Sequence, residues 1–285
     1  LAAIRTHSDE GKPRPPAAVL LEIGVTHHLF HDEGGDAFAA VDLGTRTAVL
    51  RIDAAEYREA LGRDFYRLTR RGATAKALAD ATATLAARAR VDGPTEAAFL
   101  RVAPLADGVA IDLGDDTDDA AIVTPDGWRI GRAPVHFRRG AKATALPRPE
   151  RSTDPAAAFA RLWDHATVGG TDRVLCAAWL LGALRPAGPF FIAMMCGEQG
   201  TGKSATTRVL KSLTDPSAAL LRAPPRDEKD LLVAALNARV LALDNLSVVT
   251  ADLSDSLCRV STGGALSARK LFTDAEDILF EVVRP

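Results

Sequence analysis

The chain has 285 residues, of which 47% are apolar and 25% charged, and its formal net charge is −2. This is ordinary globular composition, with length for about two domains. No apolar run approaches the ~18 residues of a membrane span, so we expect no membrane contact. Three scattered cysteines exclude a disulfide framework and favour a reducing, cytoplasmic compartment. The charge gives no argument for or against nucleic acid, because a basic strip can lie within a neutral total.

The polar, proline-rich segment 1–16 is predicted to be a flexible tail, and the chain begins at Leu1 rather than Met. It ends at Pro285 directly after an apolar run, so we expect a fragment that lacks residues at both ends. His27, His28 and His31 follow the tail and suggest a metal cluster. Because no acidic partner or fourth ligand lies at a helpful spacing, we interpret them as solvated turn histidines.

Residues 17–139 are predicted to form a small α+β accessory domain. Apolar patterning predicts a hairpin over 37–43 and 47–52, and helices over 54–70 and 74–90. Short strand-like runs follow at 99–102, 109–113, 121–123 and 128–130. Two helices followed by strands are compatible with a winged-helix DNA-binding module, and equally with an accessory module that does not contact DNA.

Residues 140–153 are predicted to be a linker between this domain and the rest of the chain. A loose basic stretch lies at the linker, and we interpret it as a solvated interdomain segment rather than a DNA-binding strip. It comprises Arg138, Arg139, Lys142, Arg148 and Arg151.

From residue 154 the chain becomes more helical and more apolar, and 154–285 is predicted to be a second domain. Helices are predicted over 156–165 and 172–185, the second largely buried. The continuous apolar run 189–196 is typical of a strand that is buried on both faces of a parallel sheet.

That run leads directly into a glycine-rich segment that precedes a helix predicted over 203–213. The order strand, glycine-rich loop, helix is the context of a phosphate-binding loop, whose backbone N–H groups and helix N-terminus hold phosphates. Lys203 would add a positive charge on the phosphates, and Ser204 a hydroxyl ligand for Mg²⁺. The predicted loop comprises Gly197, Glu198, Gln199, Gly200, Thr201, Gly202, Lys203 and Ser204.

A phosphate-binding loop needs an acidic residue that orients the metal, and this residue commonly ends a neighbouring buried strand. The apolar run 239–243 ends in Asp244, with room before it for a strand at 218–221 and a helix over 227–237. Asp244 is therefore predicted to hold Mg²⁺ together with Ser204, and Lys203 and Asp244 are the predicted catalytic residues. Asn245 stands where many ATPases carry a second acidic residue, which leaves the catalytic base open; Glu198 is one alternative.

A further helix is predicted from residue 250 or 251 to 260, a short strand and turn over 265–274, and a strand over 278–283. The motifs GEQGTGKS, LALDNLS, LCRVSTGGALSARKLFTD and ILFEVVRP resemble the ATPase domain of superfamily 3-type helicases. The likeness is closest to the primase-helicases of viruses, phages and integrated mobile elements, and it covers residues 154–285.

The resemblance implies an AAA+-like α/β ATPase domain that binds ATP and Mg²⁺ and forms a ring, often a hexamer, around single-stranded DNA. Arg269 and Lys270 match the family's DNA-contacting segment by position. The family's sensor asparagine and arginine finger lie beyond Pro285, so we expect the domain to be incomplete at its C-terminus and to hydrolyse ATP weakly. The Asp244-Asn245 pair replaces a commoner acidic pair.

Three functions follow in order of preference. The first is an ATP-driven helicase motor on single-stranded DNA, acting in replication of a prophage or mobile element. The second is a nucleotide-dependent switch or loader that assembles partners without unwinding. The third is a small-molecule kinase, which leaves the basic pair at 269 and 270 unexplained.

Overall fold

The computed structural model describes residues 4, 14–140, 142–269 and 277–285. Contacts divide the chain into two compact units. The first contains residues 1–99, 116–118 and 134–138, and the second contains residues 100–115, 119–133 and 139–285. The predicted boundary at residue 139 assigned every strand of 99–130 to the first domain, whereas contacts group most of that segment with the C-terminal residues.

In its described residues, the first unit contains three helices and a three-stranded antiparallel sheet in the order β1-β2-β3. A parallel two-stranded pair, β4 with β9, completes it. The elements are α1 (Pro16–Gly24), β1 (His28–His31), β2 (Ala37–Asp42), β3 (Thr47–Arg51), α2 (Ala55–Thr69), α3 (Ala75–Val91), β4 (Ala98–Phe99) and β9 (His136–Phe137). The predicted hairpin and both predicted helices are confirmed.

Strand β2 is buried along both faces, which explains its apolar sequence. Ala39 and Val41 pack against the three helices, whereas Phe38 and Ala40 on the opposite face pack with Phe30. Alternate residues of a strand point to opposite faces, so each set has its own cluster. The sheet that packs against α2 and α3 precedes them in the chain, which differs from the winged-helix arrangement of helices followed by a hairpin.

The second unit begins with a four-stranded antiparallel meander in the order β5-β6-β7-β8. Its strands are β5 (Val102–Leu105), β6 (Gly108–Asp112), β7 (Asp119–Thr124) and β8 (Gly127–Arg132). The runs predicted at 109–113, 121–123 and 128–130 are confirmed. The run predicted at 99–102 is not one strand, because Arg101 adopts a left-handed φ of 59° between β4 and β5.

In the ranges 142–269 and 277–285, the second unit contains helices and an antiparallel strand pair. They are α4 (Pro155–Ala160), a 3-10 helix (Arg161–Asp164), α5 (Asp172–Ala183), α6 (Lys203–Thr214), α7 (Glu228–Asn237), α8 (Ala251–Thr262), β10 (Ala265–Arg269) and β11 (Asp277–Glu281). The side chains of Asp227 and Thr250 cap α7 and α8 by accepting backbone N–H groups. None of the helices in the described ranges combines the length and apolar character needed to cross a membrane.

Lys142, Arg148 and Arg151 of the predicted basic stretch are exposed, and three of its arginines contact the four-stranded sheet of the second unit. Arg139 forms a salt bridge with Asp112 at 2.7 Å, and Arg148 forms one with Asp119 at 2.5 Å. The guanidinium of Arg151 lies 4.8 Å from the centroid of the Trp128 ring. The charge pattern predicted the exposure of Arg148 and Arg151, but it did not predict partners on the meander for these arginines.

Candidate nucleotide-binding site

The glycine-rich loop adopts backbone angles that ordinary residues rarely reach. Gly197, Gly200 and Gly202 have φ values of 149°, 87° and 81°. Glycine reaches this region without a steric penalty, so the three positions allow a tight turn directly before α6. The first N–H groups of a helix lack intrahelical acceptors, and the N-terminus carries partial positive charge. The loop therefore ends in a group of donors suited to an anion.

Two side chains fold back onto the loop's own carbonyl groups. The Nζ of Lys203 donates to the carbonyl oxygens of Gly197 at 2.8 Å and Glu198 at 2.5 Å. Thr201 Oγ1 also donates to the Glu198 oxygen, at 2.9 Å. Lys203 as a whole residue is half-buried, whereas Glu198 and Gln199 are exposed. Lys203 thus lies where it can exchange carbonyl partners for phosphate oxygens.

Gly202 also permits a close approach by the segment that precedes α5. A Cβ atom at Gly202 would lie 2.5 Å from Thr167 Oγ1 and 2.9 Å from Thr167 Cβ. The backbone N–H of Thr167 donates to Oγ1 of the buried Thr206 at 3.0 Å. These contacts fix the start of α6 against residues 166–168.

The structure brings the two predicted Mg²⁺ ligands together. Ser204 Oγ, on the first turn of α6, donates to Asp244 Oδ1 at 2.8 Å. Asp244 follows a parallel bridge between Arg222 and Leu243, and its N–H donates to the Arg222 oxygen at 3.0 Å. A hydroxyl and a carboxylate in contact, half-buried beside the glycine-rich turn, are suitable oxygen ligands for a hard cation.

Asn245 turns the chain away from this pair. It has a left-handed φ of 60° and its side chain is exposed. A cavity of about 780 Å³ begins at Asn245 and extends between the N-terminal ends of α7 and α8. Glu228 and Asp252 line this cavity together with Arg259. It is a polar cleft of mixed charge beside the candidate site, and no sequence pattern predicted it.

A buried carboxylate organises the opposite end of α6. Asp215 Oδ2 accepts from Lys211 Nζ at 2.7 Å and from the backbone N–H groups of Arg239 and Val240 at 2.9 and 3.0 Å. Its other oxygen, Oδ1, accepts from Arg101 Nε at 3.3 Å. Burial raises the pKa of Asp215, but the Lys211 ammonium and the backbone N–H groups outweigh it and hold the pKa below its usual value. Sequence reasoning missed this cluster, because Arg101 lies 114 positions away.

Arg239 is a further buried charge in this region. Burial lowers its pKa to about 10, although the charge of Asp215 acts in the opposite direction. Its guanidinium lies 4.8 Å from the centroid of the Phe190 ring and donates to the Arg185 carbonyl oxygen. This packing connects the apolar run that precedes the loop to the segment that leads to Asp244.

The prediction of a buried strand over residues 189–196 is wrong. Phe190 is buried and its N–H donates to the Ser261 oxygen at 2.8 Å, but this segment is not a strand. Phe191 and Met194 have 70% and 69% of their surface exposed. The predicted strand at 218–221 is also absent from the described chain. An apolar run predicts burial, but it does not specify what covers it.

The helix predicted over 172–185 forms as α5, but it is not largely buried. Val174, Leu175 and Leu181 are each about 70% exposed, whereas Cys176, Leu180 and Ala183 are buried. The predicted DNA-contacting residues lie at the β10 end of the chain. Arg269 is the last residue of β10, and Lys270 lies outside the described residues.

Comparison with known proteins gives one family. No curated protein matches the chain. Residues 158–285 match the family model described as actinomycete integrative conjugative element replication protein. The matched segment contains the glycine-rich loop, α6 and Asp244, and it begins close to the predicted start of the second domain at residue 154. The match confirms the prediction of a mobile-element replication protein in this coarser form, and the chain is similar to that family over its C-terminal part.

Proposed function

We propose that residues 154–285 bind ATP and Mg²⁺ as an AAA+-like ATPase domain, and that the chain acts as an ATP-driven motor on single-stranded DNA during replication of a mobile element. The observation that carries the proposal is the contact between Ser204 and Asp244 beside the glycine-rich turn. Phosphate-loop ATPases use this combination, with the loop serine and an acidic residue on one Mg²⁺. The family match supports the replication context.

Each part of the loop has a role in this proposal. Backbone N–H groups at the α6 N-terminus bind the β- and γ-phosphates, and Lys203 neutralises their charge. Ser204 and Asp244 would hold Mg²⁺, which would neutralise charge on the phosphates. The nucleoside is adenosine by default, because a guanine-selective Asn-Lys-x-Asp segment does not occur in the sequence.

A ring of identical subunits, often a hexamer, belongs to the same proposal. Apolar side chains are exposed on α5 and on the neighbouring run 189–196, and exposed apolar surface is typical of interaction sites. Trp179 Nε1 on α5 donates to the Phe191 oxygen at 3.0 Å, so the two segments lie side by side. Arg269 and Lys270 are proposed to contact DNA, on the basis of the family resemblance.

The test is ATP turnover by the protein with and without single-stranded DNA. DNA should stimulate hydrolysis, Lys203→Ala should abolish it, and Arg269→Ala should remove the stimulation while basal turnover remains. Lys229→Ala, at an exposed position of α7, is the matched control for loss of a lysine. A rate of ATP hydrolysis that does not change when single-stranded DNA of any tested length is added would contradict the proposal of a motor.

A second candidate is a nucleotide-dependent loader. It is favoured by Asn245, an amide at the position where a water-activating carboxylate is common, because an amide does not accept a proton from water. A loader should assemble on ATP binding, turn over slowly and separate no strands. Strand separation on a forked DNA substrate would support the motor and contradict the loader.

A further inference from the structure

A cluster of two imidazoles and one carboxylate lies in the first unit, and the proposed nucleotide site does not involve it. Glu96 Oε2 accepts from His28 Nε2 at 2.8 Å and from His136 Nε2 at 2.7 Å. The residues come from β1, from the segment between α3 and β4, and from β9. Their ligand atoms all lie within 4.8 Å of one another. The interpretation of His28 as a solvated turn residue is therefore wrong: its acidic partner is 68 positions away.

Backbone hydrogen bonds, rather than contacts between the three side chains, position the segments that carry them. The N–H of His31 donates to the Pro94 oxygen at 3.1 Å, and the N–H of Glu96 donates to the His31 oxygen at 2.9 Å. This holds the Glu96 segment against β1. Strands β4 and β9 pair in parallel with Ala98 opposite His136, which brings β9 to the same segment. The triad is thus preorganised by the fold.

One buried ring orients both imidazoles. Phe30 has no exposed surface, and it stacks on His28 and on His136 with centroids 5.6 and 4.6 Å apart. The imidazoles also stack on each other at 5.5 Å. Packing of this kind limits ring rotation, so the two Nε2 atoms stay directed at the same point.

We propose that His28, Glu96 and His136 form a binding site for a first-row divalent cation, with Zn²⁺ as the reference ion. Two imidazole nitrogens and a carboxylate oxygen are ligands that Zn²⁺ accepts at about 2.0–2.2 Å. Tetrahedral ligation at that radius separates ligand atoms by about 3.3 Å, so each Nε2 moves roughly half an ångström away from Oε2. Rotation of the Glu96 side chain, which is 34% exposed and is not part of the ring stack, provides this change in separation.

The site has an open coordination position. The side chains of His28, Glu96 and His136 are 47%, 34% and 30% exposed. Three protein ligands on Zn²⁺ leave the fourth position for water or another ligand. Binding also changes the imidazoles: each Nε2 that now donates to the carboxylate must lose its proton, which leaves the remaining ring proton on Nδ1. The cation would join three segments of the first unit.

Metal titration of the full chain tests the site. Protein stripped with a chelator is titrated with ZnCl₂ against a chromophoric competitor, and CoCl₂ spectra are recorded in parallel. We expect one equivalent of Zn²⁺, and a Co²⁺ spectrum with d–d bands of nitrogen and oxygen ligation. Glu96→Gln and His136→Phe should each weaken binding more than ~10-fold. His136→Phe keeps an aromatic ring against Phe30, so its effect reports ligation rather than packing.

His165→Ala is the matched control, because His165 is an exposed histidine in the second unit; its affinity should equal that of wild type. Absence of binding by wild type, or equal binding by Glu96→Gln, would overturn the proposal. So would Co²⁺ spectra with only thiolate charge-transfer bands, which would assign the ion to cysteines.

A second measurement uses only the wild-type protein, so it does not depend on whether the variants fold. Long-range ¹H–¹⁵N spectra of wild-type imidazoles should show two histidines that change from the Nε2–H to the Nδ1–H tautomer when Zn²⁺ is added. The other imidazole signals should stay in place. Unchanged signals for all histidines at saturating ZnCl₂ would exclude the site.

Discussion

Ser204 Oγ donates a hydrogen bond of 2.8 Å to Asp244 Oδ1, although the two residues lie 40 positions apart. The contact needs two separate structural conditions. Helix α6 must begin at Lys203, so that Ser204 lies on its first turn. The segment ending at Asp244 must also pair with Arg222 through the parallel bridge. Removal of either side chain should therefore affect cation-dependent binding at this site.

We predict that Ser204→Ala and Asp244→Ala each weaken ATP binding in the presence of Mg²⁺ by about tenfold, or ~1.4 kcal/mol. In EDTA their affinities should approach that of wild type, because the lost groups act through the cation. Fluorescent nucleotide titration with and without Mg²⁺ measures both values. Ser212→Ala is the control: its hydroxyl lies on the same helix and donates to the Val209 oxygen at 2.8 Å. Equal losses with and without Mg²⁺ would refute a role in metal binding.

Gly202→Ala should destabilise the loop and lower nucleotide affinity. The left-handed φ of 81° costs a residue with a Cβ about 1–2 kcal/mol, and that Cβ would also meet Thr167 at 2.5 Å. Gly200→Ala separates the two effects, because its φ is 87° but its Cβ would enter open space. Thermal unfolding should show the larger loss for Gly202→Ala, with partial recovery in the double variant carrying Thr167→Ala. No recovery would show that contact with Thr167 is not the cause.

Asp215→Ala should destabilise the second unit by about 3–5 kcal/mol, because it leaves buried charges without their partner. Lys211 and Arg101 are 3% and 4% exposed, and both lose their bonds to the carboxylate. Urea unfolding measures the change. Asp230→Ala is the control: its salt bridge with Arg226 is exposed, and its unfolding midpoint should not move. A similar midpoint for both variants would mean that the buried cluster contributes nothing.

The contribution of Asp215 should depend on pH in the acid range. Its pKa in the folded state is below its ordinary value, so the ionised carboxylate is favoured by folding. The stabilisation is fully present above the unfolded pKa of about 3.9 and is lost as the pH falls through the lower folded pKa. The gap in unfolding free energy between wild type and Asp215→Asn, which does not titrate, should stay constant from neutral pH to about 5. The difference in unfolding free energy should become smaller below about pH 4. A difference that becomes larger there would mean that folding raises the pKa of Asp215 instead of lowering it.

Local signals predicted the local structure well. Helices α6, α7 and α8 begin and end within two residues of the expected positions, because capping residues and apolar periodicity act over one or two turns. The glycine-rich loop was predicted for the same reason, since its positive φ values need glycine at fixed spacing. The meeting of Ser204 with Asp244 was predicted from the requirement of the metal rather than from any contact signal.

Long-range partners explain what the sequence did not predict. Glu96 lies 68 positions from His28 and 40 from His136, so no spacing rule could join them. The Arg101–Asp215 pair spans 114 positions. The burial of apolar runs was also predicted wrongly. Side chains of α5 and of residues 189–196 are exposed, because burial depends on neighbouring elements that composition does not reveal.

Helix α6 and the segment 239–244 are joined at two places rather than one. Lys211 Nζ donates to the Val240 oxygen near one end, and Ser204 contacts Asp244 near the other. The helix rises about 10 Å between its two contact residues, and the two contact points on the segment, Val240 and Asp244, are four residues apart. These two contacts together hold the segment 239–244 in one position along α6. A ligand that displaces Asp244 must bend the short stretch beyond Val240, and the motion would reach Asn245 and the cleft next to it.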